Sequence, residues 1–513
     1  MEQADIDVKE KIMLKRIIAA AICLAVLIMP LASCSGGNIK TTSTHRTDGT
    51  PAPIEPMGDA DGNGKTDEAD HVLFVSYLMG DVSEIHYEFC DLNGDLTVDE
   101  ADAELLRSYL DGEEIEITGS VFAREDADVT DELCDLGINN GAVWSGNKLI
   151  ARNPFDMISS DGFVMVSGGD YNSNRGPIII NGYTKASNEP TVMGSLDSEQ
   201  INRFYDCGDL IAAVSIDQRS TWGFSDLFIK PSDSDKWGEI NNVLVDNIHC
   251  YDMVYFNGVY FFCGSNVSYK TLNGVKTELY KPSLYRSDAP LSENMTAEDF
   301  VELEAYNENG YLIDFTNEVP YTSTSRFYEL FVFGNKLYAF CTNGYDGELD
   351  EKYDYNGIYV YDEDSDEFVE EASLDYQGLK DIFGRTTISH DFEFGGKYYF
   401  ISSTLFCTED LLEYFQFIIE GYENYAVKDV IFRENKAYLL VNEKQDGHFV
   451  NAVLETSDFE SFRAILHFES GLFARSFEFC NGSFYFGLGY DVTGYISENL
   501  NECGRIYRYD YYD

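Results

Sequence analysis

The sequence predicts a mainly β fold whose C-terminal part is a β-propeller, preceded by a small all-α module. The chain contains 36 Tyr and 35 Phe against only 11 Pro, an aromatic bias that favours strands. From residue 141 to residue 513, short apolar runs alternate with Gly, Asn and Asp turns, which is the pattern of β-hairpins. A hairpin repeat occurs seven times in this region. Seven blades are therefore the first prediction, with six or eight as the alternatives.

Each repeat is an aromatic strand that leads into a Gly/Asn turn and then into a second aromatic strand. Such turns supply the positive φ angles that a two-residue hairpin requires. Two hairpins make a four-stranded blade, so the repeat favours a propeller over a sandwich. The polar stretch 266–325 lengthens one repeat and is predicted to be an insertion. The seven hairpins begin at Met157, Phe204, Val254, Phe331, Phe392, Val430 and Phe477.

A second signature follows several hairpins: an apolar strand, then Asp, then an aromatic residue four positions later. It resembles the structural Asp-box turns of sialidase-like propellers. The pairs are Asp233 with Trp237, Asp364 with Phe368, Asp410 with Tyr414 and Asp458 with Phe462. Closure of the ring is expected from a last strand at 506–509 that pairs with an early strand at 142–144 or 149–150.

The N-terminus carries the pattern of an export signal. Lys15 and Arg16 precede an apolar run that is too short to span a membrane as a helix, which predicts a signal peptide over 1–33. The ending Leu-Ala-Ser-Cys resembles a bacterial lipobox. That resemblance implies cleavage before Cys34, lipidation of its sulfur and attachment to the outer face of the cell membrane; ordinary cleavage is the alternative. Residues 34–57 are rich in Ser, Thr, Gly and Pro and are predicted to be a flexible tether.

Residues 58–112 contain two acidic 12-residue loops, 32 residues apart, each followed by a helical pattern. Calcium is bound by such loops through oxygens at positions 1, 3, 5, 7, 9 and 12, with position 7 acting through its carbonyl. The pattern therefore predicts two calcium ions. Leu96 occupies a position that is normally Gly for the sharp turn, so the second site is expected to be the weaker one. The predicted ligands are Asp59, Asp61, Asn63, Lys65, Asp67, Asp70, Asp91, Asn93, Asp95, Thr97, Asp99 and Asp102.

No helical pattern precedes either loop, so these are loop–helix halves and not full EF-hands. Two such halves in tandem resemble the type I dockerin, a cellulosome-associated module. The resemblance implies calcium-dependent binding of a cohesin on a scaffold protein. Because Glu-Ala recurs in both repeats, two alternative binding orientations are expected. The resemblance places the cohesin contacts at Glu68, Ala69, Val75, Ser76, Glu100, Ala101, Arg107 and Ser108.

The remaining composition limits the partners and the chemistry. The net charge of −56 argues against nucleic acid as a partner, because phosphate binding requires a basic face. Residues 113–140 are acidic and poorly patterned, and are predicted to be a linker with a first strand. Beyond Cys23 and Cys34 there are nine cysteines without a CxxC motif. Most are expected to be buried thiols, with disulfides left open.

The propeller region shows no nucleophile elbow, P-loop or HExxH motif. The adjacent His390 and Asp391 are expected to be structural. Trp222 and the many Tyr are candidate sugar-stacking platforms, although propeller aromatics more often pack blades. A sialidase-like arginine triad has the candidates Arg203, Arg326 and Arg385 but lacks the accompanying motif.

Two hypotheses on function remain. In the first, the chain is an interaction protein whose propeller binds carbohydrate or protein. In the second, it is a carbohydrate-active enzyme, a glycoside hydrolase or polysaccharide lyase, in polysaccharide degradation. The second rests on the kind of enzyme to which dockerins are usually attached and not on any active-site motif in this sequence.

Overall fold

The computed structural model describes residues 57–113, 117, 119 and 122, and most of residues 126–512. The gaps in the latter range are 140–142, 146–147, 151–152, 170–177, 197–199, 217–226, 232–236, 241–246, 273–274, 293, 314–325, 343–354, 374–389, 403, 434–435 and 491–501. The predicted signal peptide, Cys34 and the tether up to residue 56 lie outside the described residues, as do Trp222 and Arg385. Within the described ranges, no helix has the length and apolar character needed to cross a membrane.

The N-terminal module is helical, as predicted. Helix α1 spans Glu68–Met79 and helix α2 spans Glu100–Leu110. Each helix begins with the same capping box, in which an Asp side chain at the N-cap and an Asp in the first turn bond each other's backbone N–H groups. Such a box satisfies two of the N–H groups that a helix start leaves open. A short 3₁₀ helix, Tyr87–Phe89, lies between the two repeats.

The rest of the described chain is built from strands. Four short strands come first: β1 Ala127–Asp128, β2 Cys134–Ile138, β3 Val143–Ser145 and β4 Lys148–Ile150. Blade 1 contains β5 Met157–Ser160, β6 Phe163–Val166, β7 Ile178–Thr184 and β8 Ser187–Leu196. Blade 2 contains β9 Gln200–Asp206, β10 Leu210–Ile216, β11 Leu227–Pro231 and β12 Gly238–Ile240. Blade 3 contains β13 Asn247–Phe256, β14 Val259–Leu272, β15 Val275–Ser287 and β16 Phe300–Tyr306.

Blades 4 to 7 continue the same order. Blade 4 contains β17 Arg326–Phe333, β18 Lys336–Thr342, β19 Gly357–Asp362 and β20 Glu367–Ser373, and blade 5 contains β21 His390–Phe394, β22 Lys397–Ile401, β23 Leu405–Thr408 and β24 Phe415–Gln416. Blade 6 contains β25 Ala426–Arg433, β26 Lys436–Gln445, β27 His448–Thr456 and β28 Arg463–Ser470. Blade 7 contains β29 Phe473–Cys480, β30 Ser483–Gly489 and β31 Arg505–Asp510. Neighbouring strands within each blade are antiparallel. Pairing between blades joins blades 2 to 4 into one 12-stranded sheet. The described residues therefore form a seven-bladed, propeller-like arrangement, which confirms the predicted fold class.

The first hairpin of each blade is the predicted aromatic repeat. In blades 3 and 7 its turn is Asn-Gly, with φ of 50° at Asn257 and 87° at Gly258, and 46° at Asn481 and 80° at Gly482. Both residues of the turn are left-handed, which matches the twist of the flanking strands.

The ring is closed by a strand from the N-terminal side. Strand β2 pairs with β31, with Cys134 opposite Arg508, and completes blade 7. The predicted last strand is correct, but the predicted partner at 142–144 or 149–150 is wrong, because β3 and β4 pair with each other. Leu136 of β2 instead enters a buried cluster with Tyr485 and Ile506. Strand β2 lies in the segment 113–140, which was predicted to be a linker with a first strand.

The predicted insertion 266–325 is in part a long hairpin, because β14 and β15 pair from Phe261 opposite Arg286 to Leu272 opposite Val275. The stretch Phe300–Tyr306 is instead the fourth strand of blade 3 and pairs with β15, so that part of the prediction is wrong. The Asp-centred turns occur at Asp410 and Asp458, whose carboxylates accept backbone N–H groups two and three residues later. In blade 4 the accepting carboxylate is Asp362, not Asp364. Asp233 lies outside the described residues.

The cysteines behave mainly as small apolar side chains. All nine of those in the described residues are free thiols, and six of them are buried. Burial raises the pKa of the Cys263 and Cys341 thiols well above its usual range, so these thiols remain protonated.

Candidate calcium and partner-binding site

The first acidic loop is wrapped around its own carboxylates. The Asp59 carboxylate accepts from the backbone N–H groups of Asn63 at 3.1 Å and Gly64 at 2.7 Å. Asp70 reaches back from helix α1 and accepts from Asp61 N at 3.1 Å and Asp67 N at 2.7 Å. The loop is therefore closed at both ends by the side chains predicted as its first and last calcium ligands.

The second loop repeats this arrangement. Asp91 accepts from Gly94 N at 2.8 Å and Leu96 N at 3.1 Å. Asp102 accepts from Leu92 N at 2.9 Å and Asp99 N at 3.1 Å. Both loops thus adopt the same local fold, which follows from their matching Asp positions.

Carboxylates converge most closely in the first loop. Oxygens of Asp59, Asp61 and Asp70 lie within 4.8 Å of one another, the one such cluster of three possible ligands found among the described residues. Burial raises the pKa of Asp59 to about 6, and it also raises the pKa of Asp70. Hard oxygen donors at this spacing fit calcium, which takes six to eight oxygens in a flexible geometry.

The other predicted ligands lie along the same two loops. Asp67 and Asp99 are the N-caps of α1 and α2 and bond Ala69 N and Ala101 N. Asn93 and Asp95 accept from backbone N–H groups two residues later. Asn63, Lys65 and Thr97 occupy the intervening loop positions. The structure therefore brings the predicted set together on two loops, while the assignment of each residue as a ligand stays a prediction.

None of the eight predicted partner contacts on α1 and α2 is buried. Glu68, Ala69, Glu100 and Ala101 are exposed, whereas Val75 is half-buried and packs against the hydrophobic core. Arg107 of α2 donates to both carboxylate oxygens of Glu68, at 2.7 and 2.8 Å. It also forms an ion pair with Asp111. Glu68 and Arg107 form one end of this predicted contact surface, and Glu100 and Val75 form the pseudo-symmetric end. Val75 therefore occupies the position that corresponds to Arg107. The two ends of the surface are therefore similar in shape and different in charge.

Three of the sequence candidates in the propeller, Arg203, His390 and Asp391, are buried. Arg326 is half-buried and donates to the hydroxyl of Tyr251. Arg203 lies 3.0 Å from Asp252, 3.3 Å from Glu329 and 3.7 Å from Asp391. His390 lies 2.8 Å from Asp429 on the next blade. These pairs support the structural role expected for His390 and Asp391. The Arg203 guanidinium forms its ion pairs with carboxylates of the protein.

The central residues follow a register rule. In each blade, the residue that directly precedes the first hairpin turn pairs across that turn. The residue four positions before it in the sequence is buried in all seven blades. We call these residues the inner ring: Asp156, Arg203, Asp252, Glu329, His390, Asp429 and Ser476. In blades 3, 4, 6 and 7 a register shift directly precedes the ring residue, and such bulges redirect side chains.

Three inner-ring carboxylates bond the backbone of the following blade. Asp156 accepts from Phe204 N at 2.7 Å, Asp252 from Leu330 N at 2.9 Å, and Asp429 from Phe477 N at 2.8 Å. Each donor immediately follows the ring position of the neighbouring blade. Burial raises the pKa of Asp156 to about 6 and also raises the pKa of Asp252. The ring therefore holds the blades in register.

Sequence comparison decides the class of the N-terminal module. Residues 57–111 match the family model of the dockerin type I domain. The dockerin resemblance is thereby confirmed, and dockerin domains of this type bind calcium and imply a cohesin partner. No curated protein matches the chain.

Several solved structures are similar to the chain at low identity. The α-L-arabinanase of Penicillium chrysogenum, in complex with arabinobiose, is 9% identical over 74% of this chain and 98% of its own, with a TM-score of 0.32. The GH32 β-fructofuranosidase of Bombyx mori, in complex with sucrose, is 12% identical over 70% of this chain and 88% of its own, with a TM-score of 0.28.

A structure of a prolyl endopeptidase is 12% identical over 66% of this chain, with a TM-score of 0.34, and the match covers 45% of that protein. The chain thus spans about half the length of this relative. All three TM-scores are below 0.5, so these similarities carry no argument about activity.

The inner ring and the contacts of the dockerin domain with the propeller were not predicted from the sequence. The ring had a signal, because each ring residue stands one or two positions before a predicted hairpin. Aligning the seven hairpins at their turns reveals an ionisable residue in six of them. The contacts of the dockerin domain had no such signal, since they join residues more than 70 positions apart.

Left-handed glycines set the shape of the first calcium loop. Gly64 has φ of 82°, and Leu96 at the same position of the second loop has φ of 66°. A side chain in this region costs about 1–2 kcal/mol. We therefore expect Gly64→Ala to weaken calcium binding by the first loop about fivefold to 30-fold, as measured by calorimetric titration.

The matched control for Gly64→Ala is Lys65→Ala at the next position. Calcium is expected to contact Lys65 through its carbonyl, so loss of the side chain is expected to leave the affinity unchanged. Equal affinities of the Gly64→Ala protein and the wild type would contradict the role assigned to the left-handed backbone.

Proposed function

We propose that this protein is a surface component that binds a cohesin-bearing scaffold through its dockerin domain, in a calcium-dependent way. The observation that carries the proposal is the pair of matching loops and capped helices within a segment that matches the dockerin type I family. Calcium would be held by the carboxylates of Asp59, Asp61 and Asp70 in the first loop and by their counterparts in the second. It would neutralise crowded carboxylates and fix the start of each helix.

The partner surface is proposed to be the exposed side of α1 and α2. It has two pseudo-symmetric ends, one at Ala69 near Arg107 and the other at Ala101 near Val75. The predicted lipid at Cys34 would place this surface at the outer face of the membrane. The propeller is proposed to act there as a binding module for carbohydrate or protein.

The experiment titrates the full-length protein with recombinant type I cohesin domains in a calorimeter. We expect binding in calcium and its loss in EDTA, because calcium fixes the loops that position both helices. The Asp59→Ala/Asp91→Ala variant is expected to lose binding even in calcium. Undiminished binding in EDTA, or no binding to any cohesin tested, would contradict the proposal.

Exposed alanines at the two ends provide the matched variants. Ala69→Arg and Ala101→Arg each block one end, and either single variant is expected to bind within about fivefold of wild type. The double variant is expected to lose at least about 100-fold, since blocking both ends buries unpaired charge in either orientation. Strong loss from one single variant alone would show that only that end is used.

A further inference from the structure

The segment between the two calcium loops rests on the propeller. We call residues 80–90 the connector. Ser83 O accepts from Asn481 Nδ2 at 3.0 Å, and Gly162 N donates to the Glu84 carboxylate at 2.7 Å. Arg433 Nε donates to Glu88 at 2.8 Å. The connector therefore contacts the first hairpins of three consecutive blades, 7, 1 and 6.

An aromatic contact reinforces these polar ones. Tyr87 of the connector is buried, with its ring 5.8 Å from that of Tyr512 and 5.5 Å from Lys185 Nζ. Lys185 also donates to Tyr512 O at 2.5 Å. A Cβ on Gly482 would lie 3.0 Å from the Tyr87 ring. Glycine in the blade 7 turn thus permits the close approach of this tyrosine.

The two parts share one hydrophobic core. Ile85, Tyr87 and Phe89 of the connector belong to the same buried cluster as Phe479 and Phe484 of blade 7. The same cluster includes Phe74 and Leu106 from the two dockerin helices. A continuous core couples the stability of the parts that it joins.

The contacts span the place where the ring closes. Blade 7 is completed by β2 from the N-terminal side, and the next blade around the ring is blade 1. Arg433 of blade 6 reaches both Glu88 and, at 3.4 Å, Glu478 of blade 7. Glu478 in turn accepts from Ser159 N of blade 1 at 3.3 Å. The connector thus lies over the seam between blades 6, 7 and 1.

The connector is bonded directly to the calcium loops. Gly58 N donates to Phe89 O at 2.7 Å, and His86 N donates to Ala60 O at 3.0 Å. The next residue after the connector is Asp91, the first predicted ligand of the second loop. The conformation of the connector therefore depends on both loops.

We propose that calcium bound to the dockerin domain is also a clasp for the propeller, stabilising ring closure through the connector. This role rests on the calcium binding of the proposed function and goes beyond cohesin binding. A ligand that binds the folded loops stabilises everything that unfolds together with them. The propeller ring is therefore more stable with calcium than without it.

The tryptophans allow a direct test on the full-length chain. All three of them, Trp144, Trp222 and Trp237, lie outside the dockerin domain, so their fluorescence reports unfolding of the propeller region. Thermal unfolding is compared in saturating calcium chloride and in EGTA. We expect calcium to raise the midpoint of the tryptophan transition by about 3 °C or more. We also expect slower hydrogen exchange in peptides that contain β2 and β31.

A connector variant separates the clasp from the calcium sites. Tyr87→Ala/Glu88→Gln is expected to bind calcium in calorimetry but to lose the shift of the tryptophan midpoint. The control Glu409→Gln removes a similar carboxylate from an exposed pair with Lys397, and its calcium-dependent shift is expected to persist.

Two outcomes would overturn the inference in distinguishable ways. If calorimetry shows calcium binding while the tryptophan midpoint and the β2 and β31 exchange rates stay the same, the clasp is refuted and the proposed function stands. If no calcium binds, the calcium-dependent function and the clasp both fail.

Discussion

Arg203→Met is expected to lower the free energy of unfolding by about 3–5 kcal/mol, because it leaves buried acids without the cation they share. Asp252, Glu329 and Asp391 are each at most 2% exposed in their side chains and lie within 3.7 Å of this guanidinium. Their charged forms cannot be solvated by water in that position. Burial already raises the pKa of Glu329 well above its usual range.

Urea unfolding followed by tryptophan fluorescence measures this effect. The matched control is Lys397→Met, which breaks an exposed pair with Glu409 and is expected to cost less than about 1 kcal/mol. The double variant Arg203→Met/Glu329→Gln is expected to recover part of the loss, since it removes one of the buried acids that Arg203 pairs with. A cost for Arg203→Met as small as that of the control would refute the structural role of the inner ring.

Phe122→Ala is expected to lower the free energy of unfolding by about 3–5 kcal/mol, which is the usual cost of truncating a buried Phe to Ala. Phe122 is fully buried, and its ring lies 4.8–5.3 Å from the rings of Tyr438, Phe479, Phe484 and Tyr511. Arg463 donates to its carbonyl at 2.8 Å. This residue therefore anchors the segment between the dockerin domain and the first strands to blades 6 and 7.

The free energy of unfolding from urea titration tests this anchor. Phe415→Ala is the matched control, because Phe415 is 58% exposed on blade 5; its cost is expected to stay near about 0.5 kcal/mol. Similar costs for the two variants would show that Phe122 does not contribute as a core residue.

Features set by local sequence were predictable. The dockerin loops place Asp at the positions that close each loop and cap each helix, and the Asn-Gly turns select tight hairpins. Features that depend on distant pairing were not. β2 pairs with β31 and buries Leu136 beside Tyr485 and Ile506, which are distant in the sequence and which no local pattern connects to it.

Phe122 illustrates the same limit. It stands in an acidic, poorly patterned stretch, and its φ of 49° is unfavourable for a bulky side chain. Packing against the aromatic residues of blades 6 and 7 offsets the cost of that backbone conformation. The sequence around Phe122 therefore indicates a linker, whereas the folded chain uses it as a core residue.

By itself the sequence determined the seven hairpin repeats, the two acidic loops and the resemblance to type I dockerins, because periodicity, turn chemistry and ligand spacing are encoded over a few residues. Only the tertiary structure decided which strand closes the ring, where the inner-ring charges meet and how the connector rests on blades 6, 7 and 1. Those arrangements depend on burying side chains from distant segments together. Their stability comes from contacts that exist only after the ring has closed.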